Sequence, residues 1–163
     1  MKTLLVATLL CAVAFVAPSA YTTKYRVTVT ADKQVNFSKL KTYSWLESHF
    51  VANEQIEGQI MSAIDRELRG LGLTDAKSGP ADVMVTYAAY SRTDVQYKEK
   101  AILNDVYPTY PVGILVVSLL EPTRFRRVLE LRATTPLTRP ELGAEIDNTV
   151  QEMFKRYPDR PRH

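Results

Sequence analysis

The chain has 163 residues, and its 21 lysines and arginines against 18 aspartates and glutamates leave a net charge of only +3. So small an excess argues against a nucleic-acid-binding protein, which needs a pronounced basic surface. The single cysteine, Cys11, lies in the N-terminal segment, so the sequence offers the following domain no disulfide, thiol nucleophile or thiolate metal ligand.

The first twenty residues have the three-part pattern of a secretory signal peptide. Lys2 supplies a positive charge, an apolar run extends from Leu4 to Ala17, and small or turn-favouring residues follow. The run is shorter than the roughly 20 residues that a membrane-spanning helix needs, so we interpret it as part of a signal peptide. After removal of the signal peptide, we expect no transmembrane span. Cleavage after Ser19 or after Ala20 fits this pattern.

Export to the periplasm or cell envelope is therefore the predicted localisation. A lipoprotein cysteine would follow a small residue and end the apolar run. Cys11 instead follows Leu10, and AVAFVA continues beyond it, so a lipoprotein form is disfavoured. We expect a signal peptide at 1–20, one domain at 21–158 and a disordered tail at 159–163.

Two strands are predicted at the start of the domain. Residues 25–31, YRVTVTA, alternate apolar and polar side chains. After a turn at DKQVN, the stretch FSKLKTYSWL predicts a strand over residues 37–46. Alternation places Phe37, Lys39, Lys41, Tyr43 and Trp45 on one face. If this face turns away from the helices, Tyr43 and Trp45 form an exposed aromatic patch. If it turns toward them, both rings belong to the core, as strand propensity favours.

A helix is predicted over residues 53–72. Its apolar stripe at helical spacing comprises Ile56, Ile60, Ile64, Leu68 and Leu71. Asn53 can cap its start, and Gly70 and Gly72 can end it. Asp65 and Glu67 flank Arg66, and we interpret them as a solvated polar face.

The second half predicts three strands and a helix. DVMVTYAAYS is a strand at about 82–91. The first part of residues 92–113 could extend this strand or form an arm, whereas the prolines in DVYPTYP indicate a loop, so that residues 92–112 offer a candidate binding loop. GILVVSLL, 113–120, is almost wholly apolar and is typical of a central strand covered on both faces. EPTR is a turn that leads into an alternating strand, 125–134, and these two strands form a hairpin. The last helix, at about 140–157, has a stripe of Leu142, Ile146, Val150, Met153 and Tyr157.

This order predicts an α+β fold. Two helices with one apolar face each should cover the same side of one sheet, which makes a two-layer sandwich. We expect a mostly antiparallel sheet of four to five strands.

The ordered motifs resemble a bacterial envelope family, the domain-of-unknown-function family numbered 4136. The resemblance rests on FSKLKTYSWL, DRELRGLGL and ADVMVTY, and later on Gly113 to Leu120 and Met153 to Pro158. It covers about residues 25–158. The family commonly has a tryptophan-arginine-glycine segment where this chain has Val128 to Arg132. The resemblance implies a fold and an envelope location, but no activity.

Few residues are suited to catalysis. Only two histidines exist, His49 and His163, and there is no G-x-S-x-G elbow or glycine-rich phosphate loop. A hydrolase that uses His49 is therefore the weaker alternative, and no cofactor or metal is indicated. We expect a non-enzymatic binding module.

Two groups of residues are candidates for binding. An exposed loop could present Tyr107 and Tyr110, which together with the open sheet face would meet an unknown envelope protein. The arginines of the predicted hairpin could instead bind an anionic glycan or lipid; they are Arg124, Arg126, Arg127 and Arg132. The alternatives are rings packed on the sheet and an ordinary wet strand face. The sequence does not indicate an oligomeric state.

Overall fold

The structure is a computed structural model, and it describes residues 26–46, 54–77, 79–95, 109–137 and 142–158. The predicted signal peptide, His49 and the tail at 159–163 lie outside these ranges.

One sheet and two helices make up the described fold, which confirms the α+β class. The strands are β1 (Arg26–Ala31), β2 (Thr42–Trp45), β3 (Thr74–Asp75), β4 (Val83–Val95), β5 (Thr109–Leu120) and β6 (Arg127–Pro136), and the helices are α1 (Glu54–Gly70) and α2 (Leu142–Phe154). The strand order across the sheet is β1-β6-β5-β4-β2-β3.

In the described ranges the sheet is mixed and has six strands, whereas four to five mostly antiparallel strands were predicted. Strand β2 runs parallel to both β3 and β4. Helix α1 lies between β2 and the two strands β3 and β4 in the chain. A helical crossover returns the chain in the same direction, so these strands pair parallel to β2. Strand β3 has only two residues, too few to produce a periodic pattern.

The predicted strand over residues 37–46 is only partly correct. Phe37–Lys39 form a 3₁₀ turn, and the Asn36 side chain accepts a hydrogen bond from the Ser38 amide at its start. An asparagine in this position competes with strand pairing by satisfying the backbone locally. Lys39 and Lys41 therefore do not share an extended face with the aromatic residues, and both lysines are exposed.

Helix α1 buries its predicted stripe and ends near the predicted glycines. Ile60, Ile64 and Leu68 are fully buried. Gly72 has φ of +87°, and the Leu73 amide donates to the Leu68 carbonyl. This is the left-handed helix ending that glycine favours, because it has no Cβ.

The hairpin of β5 and β6 is confirmed, with one irregularity. Leu119 pairs with Leu129, but Leu120 pairs with Arg127, so Val128 is an extra residue in a β-bulge. Regular alternation in the predicted strand at 125–134 would place Arg126, Val128, Glu130 and Arg132 on one face. The bulge corrects this arrangement: Val128 is buried, and Arg127 joins the face of Glu130 and Arg132.

Both helices pack on the same face of the sheet, so the predicted two layers are present. The strand register places Val27, Val85, Leu119 and Leu129 on that face, and these residues form one core with α1 and α2. The central position of β5 is also confirmed. Ile114 and Ser118, on its other face, are buried as well. Neither helix in the described ranges has the length and apolar character to cross a membrane.

Candidate functional site

A cavity of about 380 Å³ lies between the two helices and one end of the sheet; we call it the helix–sheet cavity. Its volume is within the range of ligand pockets in proteins, roughly 300 to 1,000 Å³. The residues that line it are mostly apolar.

Small residues on the sheet create this space. Strand pairing sets Ala89 beside Leu115 and Leu115 beside Ala133, while the next row consists of Ser91, Gly113 and Thr135. Toward the opposite end of the same face the rows carry larger side chains, for example Tyr87 beside Val117 and Leu131. Because the helices rest on these larger residues, the row of small residues leaves a gap beneath α1 and α2.

Gly113 is part of the cavity wall. A Cβ at this position would come within 2.8 Å of the Leu137 side chain, which also lines the cavity. Glycine therefore allows Leu137 to lie flat against the sheet and close one side of the cavity.

The helices supply the opposite wall. Ile56 and Ile60 of α1 and Ile146 of α2 contribute apolar surface. All three belong to stripes that the sequence predicted.

The polar groups of the cavity come from β6 and α2. The Thr149 hydroxyl donates to the backbone carbonyl of Glu145 at 2.7 Å. The Thr135 hydroxyl lies 3.4 Å from Glu145 Oε1 and 3.4 Å from the Pro136 carbonyl. Both threonines are buried, so one carboxylate with two nearby hydroxyls forms the polar end of an apolar cavity.

The structure places Tyr43 and Trp45 toward α1, not on the open sheet face. Tyr43 is fully buried, and its hydroxyl donates to Asp65 Oδ1 at 2.7 Å. Trp45 Nε1 donates to the same oxygen at 3.1 Å. This is the core alternative of the sequence prediction. It also corrects the assignment of Asp65 to a solvated face, because Asp65 joins the helix to β2.

Burial raises the pKa of Tyr43 to about 12, and the nearby Asp65 carboxylate adds to this shift. Tyr87, whose ring meets Trp45 edge-on at 6.1 Å, is also buried. Burial raises its pKa to about 12, with a contribution from the Glu57 charge. The hydroxyl of Tyr87 has no hydrogen-bond partner among the residues that the structure describes. These aromatic residues are structural parts of the core beneath α1.

The predicted tyrosine loop is only partly described. Tyr107 lies outside the described residues. Tyr110 is half-buried in β5 and pairs with Asp94 of β4. Strand β4 therefore continues beyond residue 91, as one sequence alternative allowed, whereas β5 begins within DVYPTYP, which was predicted as a loop. The exposed tyrosine of this sheet region is Tyr90, which is 47% exposed. A binding role for Tyr107 and Tyr110 stays a prediction.

Three of the four candidate arginines form ion pairs. Arg126 contacts both Asp32 and Glu121. Arg127 contacts Glu130, whose other carboxylate oxygen lies 3.9 Å from Arg132 Nε. Hydrogen bonds from the Gln34 amide and Arg126 hold the pKa of Asp32 below its usual range.

These carboxylates neutralise much of the positive charge that an anionic polymer would need. Arg124 is exposed at the tip of the hairpin beside Phe125, which is 60% exposed with φ of +52°. Binding of an anionic polymer through these arginines stays a prediction.

Sequence reasoning did not find the helix–sheet cavity. Its sheet wall comes from three strands, and no local pattern connects Ala89, Gly113 and Ala133. One signal was present in α2: Thr149 lies three residues after Ile146, so a hydroxyl interrupts an otherwise apolar stripe.

Comparisons with known proteins agree with this architecture. The family model described as Domain of unknown function (DUF4136) matches residues 27–159. No curated protein matches the chain.

Solved structures with a similar fold include a PDZ domain protein from Parabacteroides distasonis ATCC 8503, with a TM-score of 0.60 and 17% identity. The match covers 86% of this chain and 36% of that protein, so this chain spans about a third of its length. A PelC dodecamer from Paraburkholderia phytofirmans has a TM-score of 0.57 and 15% identity, with 86% of this chain and 100% of that chain covered. At these identities the likeness shows the fold alone.

Proposed function

This chain belongs to the DUF4136 family of domains of unknown function. We propose that it is an exported, non-enzymatic binding module of the bacterial cell envelope. The helix–sheet cavity is its binding site. The single observation that carries this proposal is an apolar cavity of about 380 Å³, lined by both helices and three strands.

The character of the cavity supports binding of an apolar group. Burial of apolar surface contributes about 25 cal/mol per Å², or about 0.8 kcal/mol for each methylene. A ligand that fills the space beside Ile60, Leu115 and Ile146 therefore gains affinity without a strong polar contact. Rows of small residues on paired strands provide this space.

Export is supported by the sequence of residues 1–20, with its basic start, apolar run and small residues before the domain. Fractionation of cells followed by mass measurement of the mature N-terminus tests this part of the proposal. A mature chain that begins after Ser19 or Ala20 in the periplasmic fraction is expected. An uncleaved chain in the cytoplasm would contradict export.

Binding is tested with the neutral apolar fluorophore N-phenylnaphthylamine and the purified mature protein. Wild type is expected to enhance its fluorescence on binding. Ala89→Leu should abolish this enhancement, because the added side chain occupies the cavity. Ala88→Leu is the matched control, since the adjacent side chain points to the other face of β4 and pairs with Val116.

Circular dichroism and thermal unfolding establish that both variants fold. A wild type that does not bind the fluorophore would overturn the proposal. Equal binding by Ala89→Leu and Ala88→Leu would place the site elsewhere.

A further inference from the structure

The polar end of the helix–sheet cavity carries the carboxylate of Glu145. In the described part of the chain, Glu145 accepts only the long contact of 3.4 Å from Thr135, and no lysine or arginine there forms an ion pair with it. A carboxylate has two oxygens and about four acceptor positions. Most of the hydrogen-bonding capacity of Glu145 is therefore available to a ligand.

The hydroxyls of Thr135 and Thr149 leave most acceptor positions of the Glu145 carboxylate unoccupied. Thr149 uses its proton on the Glu145 backbone carbonyl at 2.7 Å. The single proton of Thr135 has two acceptors at equal distance, the Pro136 carbonyl and Glu145. Neither threonine neutralises the carboxylate.

The position of Glu145 in α2 also matters for the charge of a ligand. It lies in the first turn of the helix, where the helix dipole presents a positive partial charge. Glu145 compensates this charge. An anionic head group at the same place would meet a like charge, whereas a cationic one would meet an opposite charge close to a low-dielectric apolar wall.

We propose that the helix–sheet cavity binds a single-chain amphiphile with a primary ammonium head, whose alkyl chain lies between the helices and the sheet while the ammonium donates to the Glu145 carboxylate. This inference rests on the proposed function, because it names the ligand class for the same cavity. It excludes a fatty carboxylate of equal chain length as the preferred ligand.

The experiment compares dodecylamine, dodecanol and dodecanoate as competitors of N-phenylnaphthylamine on the mature protein, each below its aggregation concentration. We expect dodecylamine to displace the fluorophore at a concentration at least tenfold lower than dodecanoate, with dodecanol between them. A tenfold difference corresponds to about 1.4 kcal/mol. The full chain has a net charge of +3, and residues 1–20 contain a single charged side chain, Lys2, so the mature protein is still net positive. General attraction to the protein would therefore favour dodecanoate and cannot produce this order.

Glu145→Gln keeps the shape of the side chain and removes its charge. It should bring dodecylamine and dodecanoate to within about threefold of each other, while dodecanol displaces the fluorophore as it does from wild type. Glu152→Gln is the matched control, because it changes the same residue type in α2 at a position paired with Lys155. This control is expected to retain the wild-type preference.

The outcomes separate the two proposals. If the fluorophore does not bind wild type, both the proposed function and this inference are overturned. If all three bind with equal strength, or if the preference for the amine survives Glu145→Gln, binding in the cavity stands and the ammonium inference is wrong.

Discussion

Asp65 determines how the aromatic residues of β2 are held. One carboxylate oxygen accepts hydrogen bonds from both the Tyr43 hydroxyl and the Trp45 indole. Its other oxygen lies 3.8 Å from Arg69. The sequence suggested a solvated carboxylate, because charge on the polar side of a helix is usually exposed. The hydrogen bonds instead reach the preceding strand, 22 and 20 residues away in the chain, and local periodicity carries no information about such a partner.

Asp65→Ala is expected to destabilise the protein by about 2 to 4 kcal/mol, because it leaves the buried Tyr43 hydroxyl and the Trp45 indole without an acceptor. The free energy of unfolding, measured in urea, tests this. Gln59→Ala, at an exposed position of α1, is the control and should change stability by less than about 0.5 kcal/mol. A loss below about 1 kcal/mol for Asp65→Ala would show that these contacts contribute little.

At the scale of elements, Asp82 joins the start of β2 to the start of β4. Its carboxylate accepts hydrogen bonds from the amides of Lys41 and Thr42, at 2.8 and 2.9 Å, and from the Thr42 hydroxyl. These amide contacts hold the pKa of Asp82 below its usual range. The parallel pair of β2 and β4 is short, so this side chain supports pairing that the backbone alone maintains weakly.

Asp82→Ala should loosen β2 and lower the free energy of unfolding by about 1 to 2 kcal/mol. Faster hydrogen exchange at the Lys41 and Thr42 amides is the specific readout, with amides of β5 and β6 unchanged. Asp75→Ala is the control, because the Asp75 carboxylate, at the end of β3, accepts from the Lys77 amide two residues further along the chain and not from an amide of β2. Unchanged protection at Lys41 and Thr42 in Asp82→Ala would contradict this role.

Sequence reasoning was most informative about the helices and strands. The stripes of both helices and the hairpin of β5 and β6 were predicted, because their periods of 3.6 and two residues are visible locally. The order strand–helix–strand around α1 already pointed to a parallel pair, and the prediction did not use it. The bulge at Val128 changed which arginines share a face, and one extra residue in a strand leaves no pattern in the sequence.

For the whole molecule, two buried tyrosines beneath α1 connect stability to alkaline pH. Burial raises the pKa of both Tyr43 and Tyr87 to about 12, against an ordinary value of 10.0. The folded state therefore keeps both protons at a pH where the unfolded chain releases them. This stabilisation is fully present below about pH 10 and is lost as pH rises toward about 12.

The free energy of unfolding should fall above about pH 10, by at most about 1.4 kcal/mol per pH unit for each tyrosine. Urea denaturation of wild type and of the double variant Tyr43→Phe/Tyr87→Phe tests this, since the variant controls for lysine titration. Below about pH 9 the free energy of unfolding should change with pH equally in wild type and in the double variant. The same pH dependence in both proteins above about pH 10 would contradict the raised pKa of Tyr43 and Tyr87. Tyr87→Phe alone should cost little, because the hydroxyl that it removes is buried and unpaired.

The sequence by itself determined the α+β class, the two amphipathic helices, the central apolar strand and the family to which the chain belongs. Tertiary structure alone decided that Tyr43 and Trp45 face α1, that Val128 is a bulge, and that small residues of β4, β5 and β6 meet beside Glu145. The reason is physical. Side-chain periodicity is set by the local backbone, whereas a cavity and its charge arise from the register of strands that are distant in the chain.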